Sequence, residues 1–294
     1  MLGMIFNSRN SRFIVSFIST ISFLSFTYGK TLNSEITPKI VNGEPVKKEE
    51  LIALSTVNMY VDLERLGQGR GLQNVCTGTL ISSSVVLTAA HCFADLSSRM
   101  NTSLESLRAN SYIGFGTTII KKLEDAKNFG VELIKISKVA VHPEHKVNQF
   151  RDAKTNPMHD VALLKLEFDA PTSTQSAMLS FDPNIITKDL ELDLAGFGTT
   201  NGSRMTAANQ LMKVRVKIDK PTFSKTQISY TIINSKSACS GDSGGPAYLT
   251  SPNSENKLVV VGVTSWGDRT CTQYGVYTSV PAMKDWLEPT LINF

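Results

Sequence analysis

The sequence predicts an antiparallel all-β protein of sandwich or barrel type, carried behind an export leader. Three observations predict it. Short apolar or alternating runs recur with turn residues between them, at 75–81, 85–90, 161–168, 190–195, 211–218, 258–264 and 275–280, and that rhythm belongs to sandwiches and barrels. Four cysteines follow a leader-like start, the pattern of a chain that folds in an oxidising compartment. The 294 residues are 41% hydrophobic, ample for one large or two small domains.

Taken in chain order, residues 1–12 carry Arg9 and Arg12, residues 13–26 are apolar apart from small hydroxyl residues, and Thr27 and Gly29 precede Lys30. This is the layout of a secretory signal peptide cleaved after Gly29. The apolar run is too short to span a bilayer, which takes roughly 20 residues, so no stable membrane anchor is expected and the mature chain is secreted or periplasmic. Residues 1–39 hold Arg9, Arg12, Lys30 and Lys39 against Glu35, a local charge of +3, leaving +1 of the whole chain's +4 for residues 40–294. No basic stripe remains there, which excludes nucleic acid as a partner.

The runs at 75–81 and 85–90 flank three serines, and a hairpin centred on Ser84 sets Cys76 opposite Cys92, leaving Cys239 to pair with Cys271. The stretch 168–183 is the candidate crossing between two halves. At the end of the chain, Pro281 opens a segment with Met283, Trp286 and Leu287 at helical spacing, so a C-terminal helix is expected over about 281–292, bent or shortened at Pro289.

The stretch "SACSGDSGGPAY" sets Ser243 among glycines. A serine hydroxyl attacks only when a base takes its proton, and the oxyanion it creates needs donors already in place. Gly241, Gly244 and Gly245 let the backbone turn tightly and bring N–H groups to a carbonyl oxygen. The base comes from four histidines, His91, His142, His145 and His159, all of which precede Ser243. That order excludes the nucleophile elbow of the α/β-hydrolases, whose histidine follows the serine. His142 and His145 have a spacing that metal ligands use, but they sit in the proline-interrupted stretch "VHPEH" and read as solvated loop residues; His159 has no role of its own.

The segments "IVNGEP" at Ile40, "CTGTLI" at Cys76, "LTAAHC" ending at Cys92, "HDVALLKL" at His159, "GFG" at Gly196, "CSGDSGGP" at Cys239, "SWG" at Ser265 and "GVYTSV" at Gly275 together resemble the chymotrypsin-fold, trypsin-like serine proteases. The resemblance spans residues 40–294. It implies two antiparallel six-stranded Greek-key β-barrels, at about 40–170 and 180–280, with the active site in the cleft between them. It makes His91 the general base and acid, Asp160 the carboxylate that orients it and Ser243 the nucleophile, with the amides of Gly241 and Ser243 as the oxyanion hole. It implies a zymogen: a propeptide over 30–39 is removed at Lys39–Ile40 by a protease with lysine specificity, and the new ammonium of Ile40 pairs with Asp242. It places Ser237 at the floor of the pocket for the side chain before the scissile bond, walled by Ser265, Trp266, Gly267 and Gly275. Because Ser237 is neutral and the glycines leave space, a large apolar or aromatic side chain is expected there. Asp268 or Arg269 leaning into the site would change that, toward Arg or Lys in the case of Asp268. The acyl-enzyme chemistry requires no metal and no organic cofactor. Protein or peptide substrates, a protein inhibitor and a monomeric state complete the expectation. The competing reading is a non-catalytic binding protein on the same scaffold, against which all three triad positions are filled. The stretch "FADLSSRMNTSLESLRANSY" is an insertion relative to the family and is expected to be a surface excursion.

Overall fold

The computed structural model describes residues 40–146, 158–201, 206–253 and 255–294; the predicted leader and propeptide, Lys39 included, lie outside the described residues. Six antiparallel strands close a barrel: β1 (Thr56–Asp62), β2 (Leu72–Leu80), β3 (Val85–Thr88), β4 (Ser111–Phe115), β5 (Glu132–Val141) and β6 (Ala162–Leu166), in the order β1-β2-β3-β6-β5-β4. Closure leaves no exposed strand edge and gives the inward side chains a common core. Met59, Val61, Leu87, Ile113, Ile134 and Leu163 fill it, each buried.

The second half is, among the described residues, an open nine-stranded sheet, antiparallel apart from one parallel pairing. Its main strands are β7 (Glu191–Gly196), β8 (Met212–Lys217), β9 (Lys220–Ser224), β10 (Gln227–Thr231), β11 (Pro246–Leu249), β12 (Val259–Gly267) and β13 (Tyr274–Ser279). They run β8-β7-β11-β12-β13-β10-β9, with Glu44–Pro45 beside β8 and Met178–Leu179 beside β12. The sheet curls until β8 approaches β10. β8 shows why its sequence makes a strand: Met212, Val214 and Val216 point into the core while Lys213, Arg215 and Lys217 point out, the period-2 pattern of a half-buried strand. Its inner face meets Ile40, Leu194, Ile228, Tyr230 and Tyr277.

The stretch 168–183 does carry the chain across. Ala170 N donates to Ser83 O of the barrel side at 2.6 Å, and Met178 N to Leu258 O of the sheet side at 2.8 Å. The C-terminal helix is a 3-10 turn, Pro281–Met283, followed by α4 (Lys284–Ile292), which continues through Pro289. Met283 and Leu287 are buried and anchor it. Three shorter helices, α1 (Leu51–Ser55), α2 (Ala94–Arg99) and α3 (Leu104–Ala109), lie in the first half.

One register differs from expectation. β2 and β3 pair Thr79 with Leu87 and Leu80 with Val86, which centres the hairpin on Ser83. Cys92 lies past the end of β3, in the 3-10 turn Ala90–Cys92, and the turn folds it back to bond Cys76. The second disulfide joins Cys239 to Cys271.

The insertion departs from a surface excursion. It forms α2 and α3, Phe93 and Leu107 are fully buried in the barrel's cluster, and Arg99 reaches the cleft described next.

Candidate active site

A cleft of about 770 Å³ is lined from the barrel side by Val75, Cys76, His91 and Arg99, and from the sheet side by residues of 230–277 that include Ser243, Trp266 and Gly275. His91 stands in the 3-10 turn after β3, 6% exposed. Asp160, completely buried just before β6, accepts from His91 N at 2.9 Å through Oδ1 and meets His91 Nδ1 at 2.7 Å through Oδ2. The Ser265 hydroxyl donates to the same Oδ2, and Thr278 Oγ1 donates to the Asp160 carbonyl at 3.0 Å. Burial pushes the Asp160 carboxyl up, but the charge and hydrogen bond of His91, the Ser265 hydroxyl and the charge of His145 hold it below the ordinary carboxylate range. An ionised Asp160 fixes the His91 proton on Nδ1 and leaves Nε2 as an acceptor.

Ser243 is half-buried on the facing wall. Its carbonyl accepts from Thr77 N of β2 at 2.8 Å, and Gly244 N donates to Thr264 O of β12 at 2.8 Å, so the serine is clamped between the two halves. Among the described residues, neither Gly241 N nor Ser243 N donates to a protein acceptor. Two free amides on one loop are what an oxyanion needs. The lack of bulk has a second cause. A Cβ on Gly244, whose φ is +79°, would lie 2.0 Å from Thr88 Oγ1, and one on Gly241, at φ +96°, would lie 2.8 Å from the Gly198 Cα. The loop is wedged between barrel and sheet where no side chain fits.

Asp242 points the other way, 1% exposed, its two oxygens accepting from Gly198 N and Cys239 N, each at 2.8 Å. Burial pushes its carboxyl up to about 7, against the pull of those two amides. Ile40 is fully buried in the core of the second sheet, and Val41 N donates to Ser237 O at 3.1 Å.

At the expected floor of the pocket beyond the nucleophile, Ser237 is covered by its neighbours. Ser237 is 1% exposed, and its hydroxyl bonds the Ala238 carbonyl at 2.6 Å and lies 3.2 Å from Tyr230 Oη. Tyr230, equally buried, borders the cleft where Ser237 does not. The space that Gly275 leaves is not open: a Cβ there would lie 2.5 Å from the Tyr230 ring. Ser265, Trp266, Gly267 and Gly275 do line the cleft. Asp268 lines the cleft, but its carboxylate is turned onto its own loop, accepting from the amides of Thr270, Thr272, Gln273 and Tyr274 and from the Thr270 hydroxyl. Burial opposes ionisation there, but these donors hold the carboxyl down at about 2.

Sequence reasoning missed Tyr230, Arg99 and the histidine loop. His142 and His145 are not solvated: His142 is 7% exposed, stacked on His159 at 4.6 Å and tilted against Trp286 at 5.0 Å. The side chain of His145 is 1% exposed and bonded to Asp95. His159 is thus a packing partner of His142. The available signal was three histidines and Asp160 within nineteen residues, 142–160.

Comparison with known proteins agrees with this geometry. The chain is 25% identical to trypsin alpha of Drosophila melanogaster over 95% of its own length and 98% of that protein's. It is 27% identical to trypsin-4 of Rattus norvegicus over 76% of this chain and 82% of that one. It is 28% identical to complement C1s subcomponent of Rattus norvegicus over 73% of this chain, which spans only 32% of that longer protein. The Trypsin family model matches residues 55–287, a stretch that holds His91, Asp160 and Ser243 in the order and setting just described, and the chain therefore belongs to the trypsin family of serine endopeptidases.

Proposed function

We propose that this chain is a secreted serine endopeptidase, made as a zymogen cut between Lys39 and Ile40, that cleaves after a large apolar or aromatic side chain. The observation that carries the reading is the buried His91–Asp160 pair at 2.7 Å in one cleft with Ser243 and its two free amides. Ser243 Oγ attacks the scissile carbonyl carbon while His91 Nε2 takes its proton. Asp160 holds the ring and offsets the charge of the imidazolium. The amides of Gly241 and Ser243 take the oxyanion, His91 returns the proton to the departing amine, and water later releases the acyl group by the same steps.

The substrate preference rests on charge and on Tyr230. Asp268 is spent on its own loop, and the other charged side chains that reach the cleft rim among the described residues, Arg99 and Arg269, are cations that repel Arg or Lys. The Tyr230 ring gives an apolar floor and sets the depth. Activation rests on Asp242, a buried carboxylate held by two amides and no cation among the described residues, and on Ile40. In the uncut chain Ile40 has φ +52°, a left-handed conformation that costs a β-branched residue about 1–3 kcal/mol. Cutting the Lys39–Ile40 bond frees that residue and supplies the missing ammonium.

The test compares protein cut at Lys39 with uncut protein and with Ser243→Ala, using fluorophosphonate labelling and a peptide panel varied before the scissile bond. Labelling and cleavage after Phe, Tyr or Leu, lost in Ser243→Ala and weak without the cut, are expected. Cleavage after Arg or Lys overturns the specificity, equal activity of the uncut chain overturns the activation, and no Ser243-dependent labelling leaves a binding protein on the same scaffold.

A further inference from the structure

We infer that His145 is a positioning residue for the reaction: with Asp95 it forms a second carboxylate–histidine pair behind Asp160 and sets the electrostatic setting in which Asp160 holds His91. The inference rests on the reading of His91, Asp160 and Ser243 as the triad.

The geometry is a line of four groups. His91 Nδ1 lies 2.7 Å from Asp160 Oδ2. On the far side of the same carboxylate, His145 Nδ1 lies 4.0 Å from Oδ1, and His145 Nε2 lies 2.9 Å from Asp95 Oδ1. The His145 side chain is 1% exposed, Asp160 is fully buried and Asp95 is mostly covered. His145 Nδ1 is a buried polar atom with no hydrogen-bond partner among the described residues, and such atoms are costly where they serve nothing. With one proton, on Nε2 toward Asp95, the Nδ1 lone pair faces a carboxylate oxygen. With two protons, the ring is a cation set between two carboxylates. The second state, whose charge pulls on the Asp160 carboxylate, weakens the hold of Asp160 on a His91 imidazolium.

Among the described residues the titratable groups around His145 come from three directions, with exposed Lys146 next to it in the chain. Asp95 approaches from α2, and Asp160, with His91 beyond it, from the catalytic face. On its own loop stand Glu144 and His142, with His159 stacked on the latter and 3.7 Å from Glu144. His142 Nδ1 accepts from Glu144 N at 3.1 Å, which makes it a neutral neighbour. His145 does not line the cleft, so its removal acts on the chemistry and not on substrate binding.

The experiment follows kcat/KM of the activated enzyme across pH in His145→Asn and Asp95→Asn. It also follows the ring titration of His91 by nitrogen NMR in the Ser243→Ala protein carrying the same changes. Removing a charge next to Asp160 should raise the acid-side midpoint by about one pH unit in His145→Asn, and by less in Asp95→Asn, with KM unchanged. The double variant should move no further than His145→Asn alone. An acid limb and a His91 midpoint that stay in place in both variants, whatever happens to kcat, reduce His145 to packing and overturn the inference. If His145→Asn does not fold, the more peripheral Asp95→Asn decides by the same midpoints. If His91 titrates normally but no Ser243-dependent hydrolysis occurs in the parent, the triad reading fails and the coupling is judged by NMR alone.

Discussion

Asp242 supplies a sharp test because it is buried without a cation among the described residues. Folded, its carboxyl is pushed up to about 7 from an ordinary 3.8. Between those values the folded chain holds a proton that the unfolded chain has released, so stability falls as pH rises through the window. At about 1.36 kcal/mol for each of roughly three pH units, the loss is about 4 kcal/mol. Asp242→Asn removes the ionisation. Its amide nitrogen must face either Gly198 N or Cys239 N, which costs about 1–3 kcal/mol at every pH. Urea unfolding of the uncut chain, in a Ser243→Ala background that prevents self-cleavage, measures both proteins at about pH 4 and pH 8. The stability advantage of the parent over Asp242→Asn should shrink by about 4 kcal/mol across that range, and the variant should match or exceed the parent at pH 8. In protein cut at Lys39 the shrinkage should vanish, since an ammonium holds Asp242 ionised. A parent-to-variant difference that stays constant within about 1 kcal/mol in the uncut chain refutes the argument that burial without a cation controls this group.

Tyr230→Ala should deepen the pocket, raising kcat/KM for Trp or Tyr relative to Leu by about tenfold, the scale of a methylene or two in an apolar pocket; a peptide panel checks it, and an unchanged ratio removes Tyr230 from the floor. Burial and the charge of His159 hold the His142 ring down at about 4 from an ordinary 6.5. The folded chain therefore resists a proton that the unfolded chain takes up. Stability present above about pH 6.5 should drain as pH falls toward 4, and His142→Phe, stacked on His159 and Trp286 in the same place, should flatten that loss in thermal melts.

Strands with a half-buried alternation or an apolar run between turns were legible, as β8 and β12 illustrate. β1 was not, because all seven of its residues, polar Thr56, Asn58 and Asp62 included, are buried, so neither period nor polarity marks it. Chemistry was legible where one residue type is indispensable, as at Ser243. Asp160 needed the family motif, because only tertiary structure shows which acid meets His91. The Tyr230 contribution to the pocket floor was not legible for a related reason. Ser237 and Tyr230 are seven residues apart, and the chain between them turns through positive φ at Asn234 and Ser235, with the two hydroxyls 3.2 Å apart. The histidine loop was misread because proline and glutamate in "VHPEH" look solvated, whereas Asp95 of the insertion and Trp286 of α4, both distant in sequence, cover it.

Two buried carboxylates flank the nucleophile, and their divergence separates the work of the site. Asp160 and Asp242 are equally sealed from water, so burial alone would raise both. Asp160 meets a histidine, a hydroxyl and a second histidine, and is pulled below the ordinary range; Asp242 meets two amides and rises to about 7. The difference is the presence of groups that can carry positive charge. A carboxylate that is already paired is ready for chemistry in the uncut chain, whereas one that lacks a cation makes the loop carrying Gly241 and Ser243 depend on a charge brought from elsewhere. In the proposed mechanism the base is therefore built by folding, and the oxyanion loop is secured only by the cut at Lys39.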